Sequence, residues 1–423
     1  MSLRFRFLVI HEGQPYDSSQ FEAIGEIRMD RFGDKVCCNP TVKLKKQESY
    51  PVIDIDKITP GYKAVRSVAS IEYTGQGGAK FQDHDVLFAR ITPCLENGKM
   101  AIADTEGQNG IGSTELFVFR GIDGVSDTDY VYYLLCMRHI RQLAANSMTG
   151  ASGRQRADLD FIKRIQWDFP DIEMQKKIAS VLSAYDNLIE VNNKRIKVLE
   201  QMAENLYKEW FVRFRFPGHE TAEFENGLTK GWRRGRISEF YTTSSGGTPS
   251  REHDEYYDNG TIPWIKTGEL QDCLLIDTEE RITEAAVKKS SAKFFPKDSV
   301  LMAMYGVNIG MLAYSTMDAT CNQACCVFRD KGSINTKHYL FQCLKSIRDY
   351  LLLISFGAAQ QNLSQDLIKR VRIVMPDMET VIRFEQKIEP LYNETKQLLK
   401  ANECLIRQRD LLLPRLMSGK LEV

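Results

Sequence analysis

The 423-residue sequence predicts an α+β fold built from two copies of one unit. Each copy is a globular half of mixed strands and helices followed by a long helix. Three observations carry this. A stretch near residue 161 returns near residue 367. A long run with apolar residues at helical spacing follows each of those stretches. The segments in front carry short apolar runs broken by Gly, Pro, Asn and Asp, the pattern of short strands joined by loops. The expected boundaries are 1–170 for the first globular half, 171–216 for its helix, 217–376 for the second half and 377–423 for the last helix.

The repeat is explicit. Phe161-Ile162-Lys163-Arg164-Ile165 leads to Phe169-Pro170-Asp171, and Leu367-Ile368-Lys369-Arg370-Val371 leads to Met375-Pro376-Asp377, at a constant offset of 206. Such self-similarity marks a duplicated structural unit. Just upstream, Gly150-Ala151-Ser152-Gly153-Arg154-Gln155-Arg156 corresponds to Gly357-Ala358-Ala359-Gln360-Gln361-Asn362. Further back, Asp85-Val86-Leu87-Phe88-Ala89 resembles Ser299-Val300-Leu301-Met302-Ala303 at an offset of 214, so the copies differ by loop insertions. Strands are expected at Asp85–Ile91, Leu116–Phe119, Ser299–Met304 and Ala324–Phe328. Helices are expected at Asp129–Ala145 and Thr336–Ser355.

The first long helix starts after Pro170, with Asp171 as N-cap and Glu173 in the first turn. Ile178, Leu182, Tyr185, Ile189, Asn192, Ile196, Leu199, Ala203, Leu206 and Trp210 follow with 4,3 spacing, the seam of a coiled coil. Pro217-Gly218 stops the run. From Ile172 to Trp210 such a helix is roughly 60 Å long, at 1.5 Å per residue. In the second helix Leu391, Leu398, Leu405 and Leu412 recur every seven residues, with Leu399, Ile406 and Leu413 beside them. Pro390 predicts a kinked or delayed start, and Pro414 and Gly419 mark the end. The simplest arrangement buries the two stripes on each other; the alternative packs each helix on its own globular half. Asn192 and Asn402 either fix the register or sit in solvent.

Composition limits the function. Lys+Arg and Asp+Glu are each 56, so the chain is not a polycation that coats nucleic acid. A DNA reader with basic residues on one face stays open. No stretch approaches the ~20 apolar residues of a membrane helix, and Met1 to Ile10 lack a signal-peptide core. Ten cysteines without a C-x-x-C pair read as reduced, mostly buried thiols of a cytoplasmic protein, with no zinc site. Cys37–Cys38 and Cys325–Cys326 are neighbours that would face opposite sides of a strand.

Catalytic signatures are missing. There is no Walker A loop, no H-E-x-x-H and no G-x-S-x-G. In Gly75-Gln76-Gly77-Gly78-Ala79-Lys80 a lysine stands where a dinucleotide loop needs its last glycine. Asn39-Pro40-Thr41-Val42 lacks the second proline and the aromatic of an adenine-methyltransferase motif. Pro170-Asp171 and Pro376-Asp377 are helix starts without the Glu-x-Lys of a nuclease.

What remains suits nucleic acid. Arg138, Arg141, Arg154, Arg156, Lys163 and Arg164 face only Asp158 and Asp160 in their stretch. The glycines at 150 and 153 let backbone approach a ligand, and Arg154, Gln155 and Arg156 follow at once. Arginine forks onto guanine, and glutamine or asparagine onto adenine. The second unit holds Gln360, Gln361 and Asn362 in the same place. Lys230, Arg233, Arg234 and Arg236 around Trp232 form a second cluster, read either as a phosphate contact or as a solvated linker.

Several motifs are shared with a known family. They are Pro170-Asp171-Ile172-Glu173-Met174-Gln175-Lys176-Lys177-Ile178-Ala179, Leu206-Tyr207-Lys208-Glu209-Trp210-Phe211-Val212, Phe214-Arg215-Phe216-Pro217-Gly218 and the closing Leu411-Leu412-Leu413-Pro414-Arg415-Leu416-Met417-Ser418-Gly419-Lys420-Leu421. Arg90-Ile91-Thr92-Pro93-Cys94-Leu95-Glu96-Asn97-Gly98-Lys99, and Gly246-Gly247-Thr248-Pro249-Ser250 followed by Ile262-Pro263-Trp264, belong to the same set. Over its whole length the chain resembles the specificity subunit of type I restriction–modification systems; it departs from the pattern at Glu379 to Glu389.

The resemblance implies two target recognition domains, each reading half of a split, asymmetric site in double-stranded DNA. It implies an antiparallel coiled coil, with Leu182, Ile189, Ile196, Leu199 and Leu206 facing Leu391, Leu398, Leu405 and Leu412. It implies two adenine-N6 methyltransferase (modification) subunits and restriction/translocase subunits as partners. AdoMet, ATP and Mg²⁺ are expected on those partners, with no cofactor, metal or catalytic residue in this chain. The candidate DNA contacts are Arg90, Thr92, Lys99, Arg154, Gln155 and Arg156 in the first domain. In the second they are Thr248, Lys266, Asn308, Gln360, Gln361 and Asn362. The competing classes are a stand-alone DNA-binding scaffold and an enzyme with an unrecognised site.

Overall fold

The computed structural model describes residues 29–150, 154–332, 335–355 and 362–423. The chain forms two compact units, Met1–Glu190 with Cys404–Val423, and Val191–Glu403. Each therefore combines one globular half with segments of both long helices.

The first unit is organised by a five-stranded sheet of β1 (Val36–Cys38), β2 (Ala64–Arg66), β3 (Val86–Ala89), β4 (Met100–Asp104) and β5 (Leu116–Gly121). Their spatial order is β1-β5-β3-β4-β2. All neighbours are antiparallel except β2, which runs parallel to β4. The second unit repeats this with β6 (Tyr241–Ser245), β7 (Cys273–Leu275), β8 (Val300–Ala303), β9 (Leu312–Ser315) and β10 (Cys325–Asp330), in the order β6-β10-β8-β9-β7. Only β7 and β9 are parallel. A smaller sheet in each unit also contains one parallel pair, Ser49–Ile53 with Gly110–Gly112 and Ile262–Ile265 with Thr320–Cys321. The sequence repeat is thus a repeat of topology.

Strand alternation splits each core into two layers, because successive side chains leave opposite faces of a sheet. Val86, Phe88, Phe117 and Phe119 pack towards the helices, whereas Leu87, Ala101, Ala103 and Val118 face Ile53 and Phe81 of the smaller sheet. In the second unit Cys326 lies with Val300 and Met302, and Cys325 with Leu301 and Ala303. That is the opposite-face geometry expected of adjacent strand residues. All ten cysteines are free thiols. Burial pushes the Cys38 and Cys136 thiols up to about 12, so they stay protonated and act as small apolar groups.

The expected helix over Asp129–Ala145 is two helices, α1 (Thr128–Cys136) and α2 (Arg138–Asn146). The break is at Met137, whose ψ of 129° is extended. Every residue of α1 from Tyr130 to Leu135 is buried, whereas α2 buries only Ile140 and Ala144. A helix apolar all round lies inside the protein and an amphipathic one on its surface, so the chain bends between them. The expected helix over Thr336–Ser355 divides likewise into α4 (Lys337–Ser346) and α5 (Arg348–Ser355).

Between these pairs lies α3 (Ile172–Tyr207), extended by a π-turn over Lys208–Val212. Asp171 caps it, accepting from Met174 N at 2.8 Å. Ile178, Leu182, Ile189, Asn192, Ile196, Ala203 and Trp210 are buried as the spacing requires. Three seam residues, Tyr185, Leu199 and Leu206, are only half-buried, and beside two of them Asp186 and Tyr207 are buried instead. A helix of 3.6 residues per turn drifts against a strict seven-residue repeat, so the inward stripe moves one position sideways.

The last helix, α6 (Met378–Met417), corrects the reading of its prolines. It is not delayed at Pro390. Asp377 accepts from Thr380 N at 2.9 Å, and Val381, Phe384 and Ile388 are fully buried, which fixes the first turns before Pro390 is reached. Pro390 itself is exposed, and Pro414 lies inside the helix rather than ending it. Leu398 and Leu413 are buried, but Leu391, Leu405 and Leu412 are half-buried and Ile406 is exposed. Thr395, Asn402 and Arg409 take inward positions that a leucine repeat does not show.

Within each unit the two long helices run antiparallel. In the second unit Asn192 donates to Asn402 at 2.8 Å, Asn402 donates to Asn193 at 2.9 Å, and Arg195 pairs with Glu394 at 2.6 Å. Trp210 packs on Phe384, with ring centroids 5.7 Å apart. In the first unit Leu182 shares a core with Leu413, Leu416 and Met417. The same core holds Trp167 and Phe169, so the helices bury on each other and on the globular half at once. No helix among the described residues is long and apolar enough to cross a membrane.

Candidate nucleic-acid interface

In the first unit the chain leaves β3 at Arg90 and meets the returning Thr149–Ala157 segment. Arg90 N donates to Glu115 O at 3.0 Å, and Ala157 N donates to Arg90 O at 2.8 Å. Thr92 N donates to Gln155 O at 3.0 Å. Thr149 and Arg156 exchange backbone bonds at 3.0 Å. This brings Arg90, Thr92, Gln155 and Arg156 together around Glu115. Arg154 is exposed beside them.

The side chains are already engaged. Arg156 forks onto Glu115 at 2.8 and 2.6 Å. That hydrogen bond outweighs desolvation and holds the Glu115 carboxyl below the usual carboxylate range. The Arg90 guanidinium lies 4.8 Å over the Phe117 ring, and its buried Nε has no hydrogen-bond partner among the described residues. The Thr92 hydroxyl donates to Glu96, and Lys99 Nζ donates to Ile55 O at 2.9 Å. Arg154 is thus the exposed cation of the group, and Arg156 is held as a planar fork by its carboxylate.

The second unit repeats the junction. Met304 N donates to Ala324 O and Leu363 N donates to Met304 O, both at 2.8 Å. These are the counterparts of the Arg90–Glu115 and Ala157–Arg90 bonds: Met304 follows Arg90 at the offset of 214, Leu363 follows Ala157 at 206, and Glu115 and Ala324 each precede the equivalent strands β5 and β10. Asn362 is therefore seated where Arg156 is seated, and it is exposed. Gln360 and Gln361, with Ala151, Ser152 and Gly153 of the first loop, lie outside the described residues.

The other second-unit candidates have roles that sequence alone did not assign. The Asn308 amide donates to Thr267 O, Gly268 O and Leu270 O at 3.0, 3.2 and 3.2 Å. It ties two loops and has no donor left for a base. Lys266 pairs with Glu279 at 2.8 Å and Glu280 at 2.9 Å, and Glu280 also binds Arg251 at 2.6 Å. The Thr248 hydroxyl donates to Gln323. Glu115, Gln323, Glu280 and Arg251 were missed because their importance comes from a partner distant in sequence.

A glycine and an arginine also recur. Gly98 (φ +73°) and Gly310 (φ +77°) close the two turns in the left-handed region that suits glycine. Arg141 and Arg348, from α2 and α5, reach them: a Cβ on Gly98 would meet the Arg141 guanidinium, and Arg348 Nε donates to Gly310 O at 2.9 Å.

The cluster around Trp232 is not a solvated linker. Arg233–Arg236 is a strand paired antiparallel with Arg372–Met375, Lys230 pairs with Glu223, and Trp232 Nε1 donates to Asp377 at 2.8 Å. Elsewhere, His338, Glu385 and Glu389 approach one another closely enough to hold a metal ion. Yet Glu385 accepts from His338 Nδ1 at 2.7 Å and from Tyr339 N at 2.9 Å, while Lys337 lies 3.3 Å from Glu389. These groups fasten α4 to α6.

Two matching units, with Ala157 and Leu363 fastened to the same strand end, define a duplicated protein. Residues 32–201 and 229–401 each match the type I restriction modification DNA specificity domain, and the chain belongs to that family. It is a type I specificity subunit with two target recognition domains. It is similar to the MjaIX specificity subunit of Methanocaldococcus jannaschii, with 29% identity over 323 residues and 72% of each chain covered. It is also similar to the HindI specificity subunit of Haemophilus influenzae, with 22% identity over 415 residues, covering 82% of this chain and 88% of that one. The crystal structure of the type I S subunit from M. genitalium shares the fold, with a TM-score of 0.52 at 15% identity, over 94% of this chain and 98% of that one.

Proposed function

We propose that this chain reads a bipartite, asymmetric site in double-stranded DNA, one half with residues 1–170 and the other with residues 217–376. The long helices, 171–216 and 377–423, space the two readings and seat two adenine-N6 modification subunits, to which restriction/translocase subunits join. AdoMet, ATP and Mg²⁺ reside on those partners, and this chain performs no bond chemistry.

One observation carries the reading. Bonds at equivalent positions, Ala157 to Arg90 and Leu363 to Met304, fasten the residues that follow the two loops to the same frame. The side chains beside them differ, Arg154, Gln155 and Arg156 against Asn362. A constant scaffold with variable hydrogen-bonding groups is what reading two unlike half-sites requires. Methylome sequencing of a host expressing the chain with its modification subunit should give a two-part motif. Replacing residues 150–156 should change one half of that motif and leave the other intact. A change in both halves, or in neither, refutes the reading. The purified chain alone, given labelled AdoMet and DNA or ATP and DNA, should leave both unchanged; turnover would favour an enzyme instead.

A further inference from the structure

The turn between β8 and β9 carries the most exposed large apolar side chain among the described residues, Val307 at 101%. The turn is not free to fold that side chain away. It opens at Gly306 (φ +88°) and closes at Gly310, whose N donates to Ala303 O at 2.8 Å. Ile309 N donates to Gly306 O at 3.2 Å and Met311 N to Asn308 O at 2.9 Å. The Asn308 amide, the next residue, is fastened to three carbonyls of the Thr267–Leu270 loop. Arg348 holds Gly310 from α5. A valine side chain is thus presented to water on a braced support. At the foot of the turn Met304 O accepts at 2.8 Å from the N–H of Leu363, the residue next to Asn362.

The first unit does not share this feature. Its turn between β3 and β4 carries Thr92, Pro93, Glu96 and Asn97, and of its aliphatic residues Leu95 is buried and Ile91 half-buried, so neither is exposed as Val307 is. The exposed methyls of Val307 therefore distinguish this turn from its counterpart in the first target recognition domain.

We propose that Val307 contacts the 5-methyl group of a thymine in the major groove of the half-site read by the second target recognition domain; this rests on the DNA-reading function proposed above. Valine offers no donor or acceptor, so it reads none of the hydrogen-bonding edges of the bases. The thymine methyl is the apolar mark on the major-groove edge, and apolar side chains recognise it by contact. A wedge inserted between base steps is the other use of an apolar tip, and it kinks the duplex.

The test uses the complex with its modification subunits and the motif found by methylome sequencing. Duplexes are made with uracil replacing each thymine of the second half-site in turn. Wild type should lose about fourfold in affinity at one position and little at the others, the equivalent of ~0.8 kcal/mol for one buried methyl group. Val307→Ala should lose a similar factor on the thymine duplex and be indifferent to uracil there. Uracil tolerated at every position, a half-site without thymine, or equal sensitivity of Val307→Ala and wild type to uracil would overturn the proposal. So would a kinked duplex that Val307→Ala straightens, or a Val307→Ala complex that fails to assemble with modification subunits. Absence of any two-part motif would instead remove the DNA-reading function itself.

Discussion

Asp186 and Arg409 form the buried ion pair of the first unit, and its removal gives the sharpest test of how α6 is held there. Asp186 is 6% exposed and Arg409 9%. One carboxylate oxygen accepts from Arg409 at 2.5 Å and the other from the Tyr133 hydroxyl at 2.5 Å. Arg409 also donates to Gly61 O at 3.1 Å and pairs with Asp410 at 2.9 Å. Arg409→Leu leaves a carboxylate inside the protein with only a tyrosine. Breaking a buried pair this way costs about 3–5 kcal/mol. For a body of this size that lowers the melting temperature of the first unit by roughly 6–20 °C. Asp186→Leu strands the guanidinium and should cost a similar amount. The double variant removes both charges, and an apolar pair of similar volume is commonly neutral or stabilising, so most of the loss should return. Thermal unfolding followed by tryptophan fluorescence reads this, because Trp167 lies in the first-unit core. Additive losses in the double variant, with coupling below ~0.5 kcal/mol, would refute the claim that the charges hold each other.

Further outcomes follow from the same geometry. For Asp129, burial pushes the carboxyl up, but hydrogen bonds and charge from His84 and Lys63 outweigh it and bring it to about 2, while the bond to Asp129 raises His84. The raised histidine contributes below ~6.5 and loses its contribution as pH rises through its folded value; the lowered carboxyl contributes above ~3.9 and loses it as pH falls towards 2. First-unit stability should thus be greatest between those limits and fall by less than ~1 kcal/mol towards pH 9, His84 being largely exposed; His84→Gln should flatten that alkaline slope in a melting series. Arg154→Ala, or Gln361→Ala, should cost about 1–3 kcal/mol at one base position in competition binding, whereas equal weakening on every sequence would mark a phosphate contact. Deleting four residues from each long helix, about 6 Å of helix, should shorten the spacer of the methylated motif by one or two base pairs at ~3.4 Å each; an unchanged spacer would refute the ruler.

Local signals were legible where chemistry acts within a few residues. Asp171 was readable as a cap and Pro376-Asp377 as a helix start, and in both a short carboxylate after proline reaches the third amide on. The short apolar runs at β3, β5, β8 and β10 were readable as strands, and their lack of alternation matches burial on both faces. Pro390 misled because its local cost was weighed without the Asp377 cap and the buried Val381, Phe384 and Ile388 that fix the helix ahead of it. Met137 gave no warning of a break, since neither proline nor glycine marks it. Among the site residues, Asn308 and Arg156 carry base-reading groups by type. A distant carbonyl or carboxylate decides whether those groups are free, and sequence does not show it.

By itself, then, the sequence determined the duplication, the strand-and-helix content and the family, because these rest on spacing and local bonding. Only the tertiary structure decided which inward positions are charged pairs, as at Asp186 and Arg409, and which polar groups brace a loop instead of facing a ligand. Those outcomes depend on which atoms meet across hundreds of residues, where burial makes an unpaired charge or donor costly.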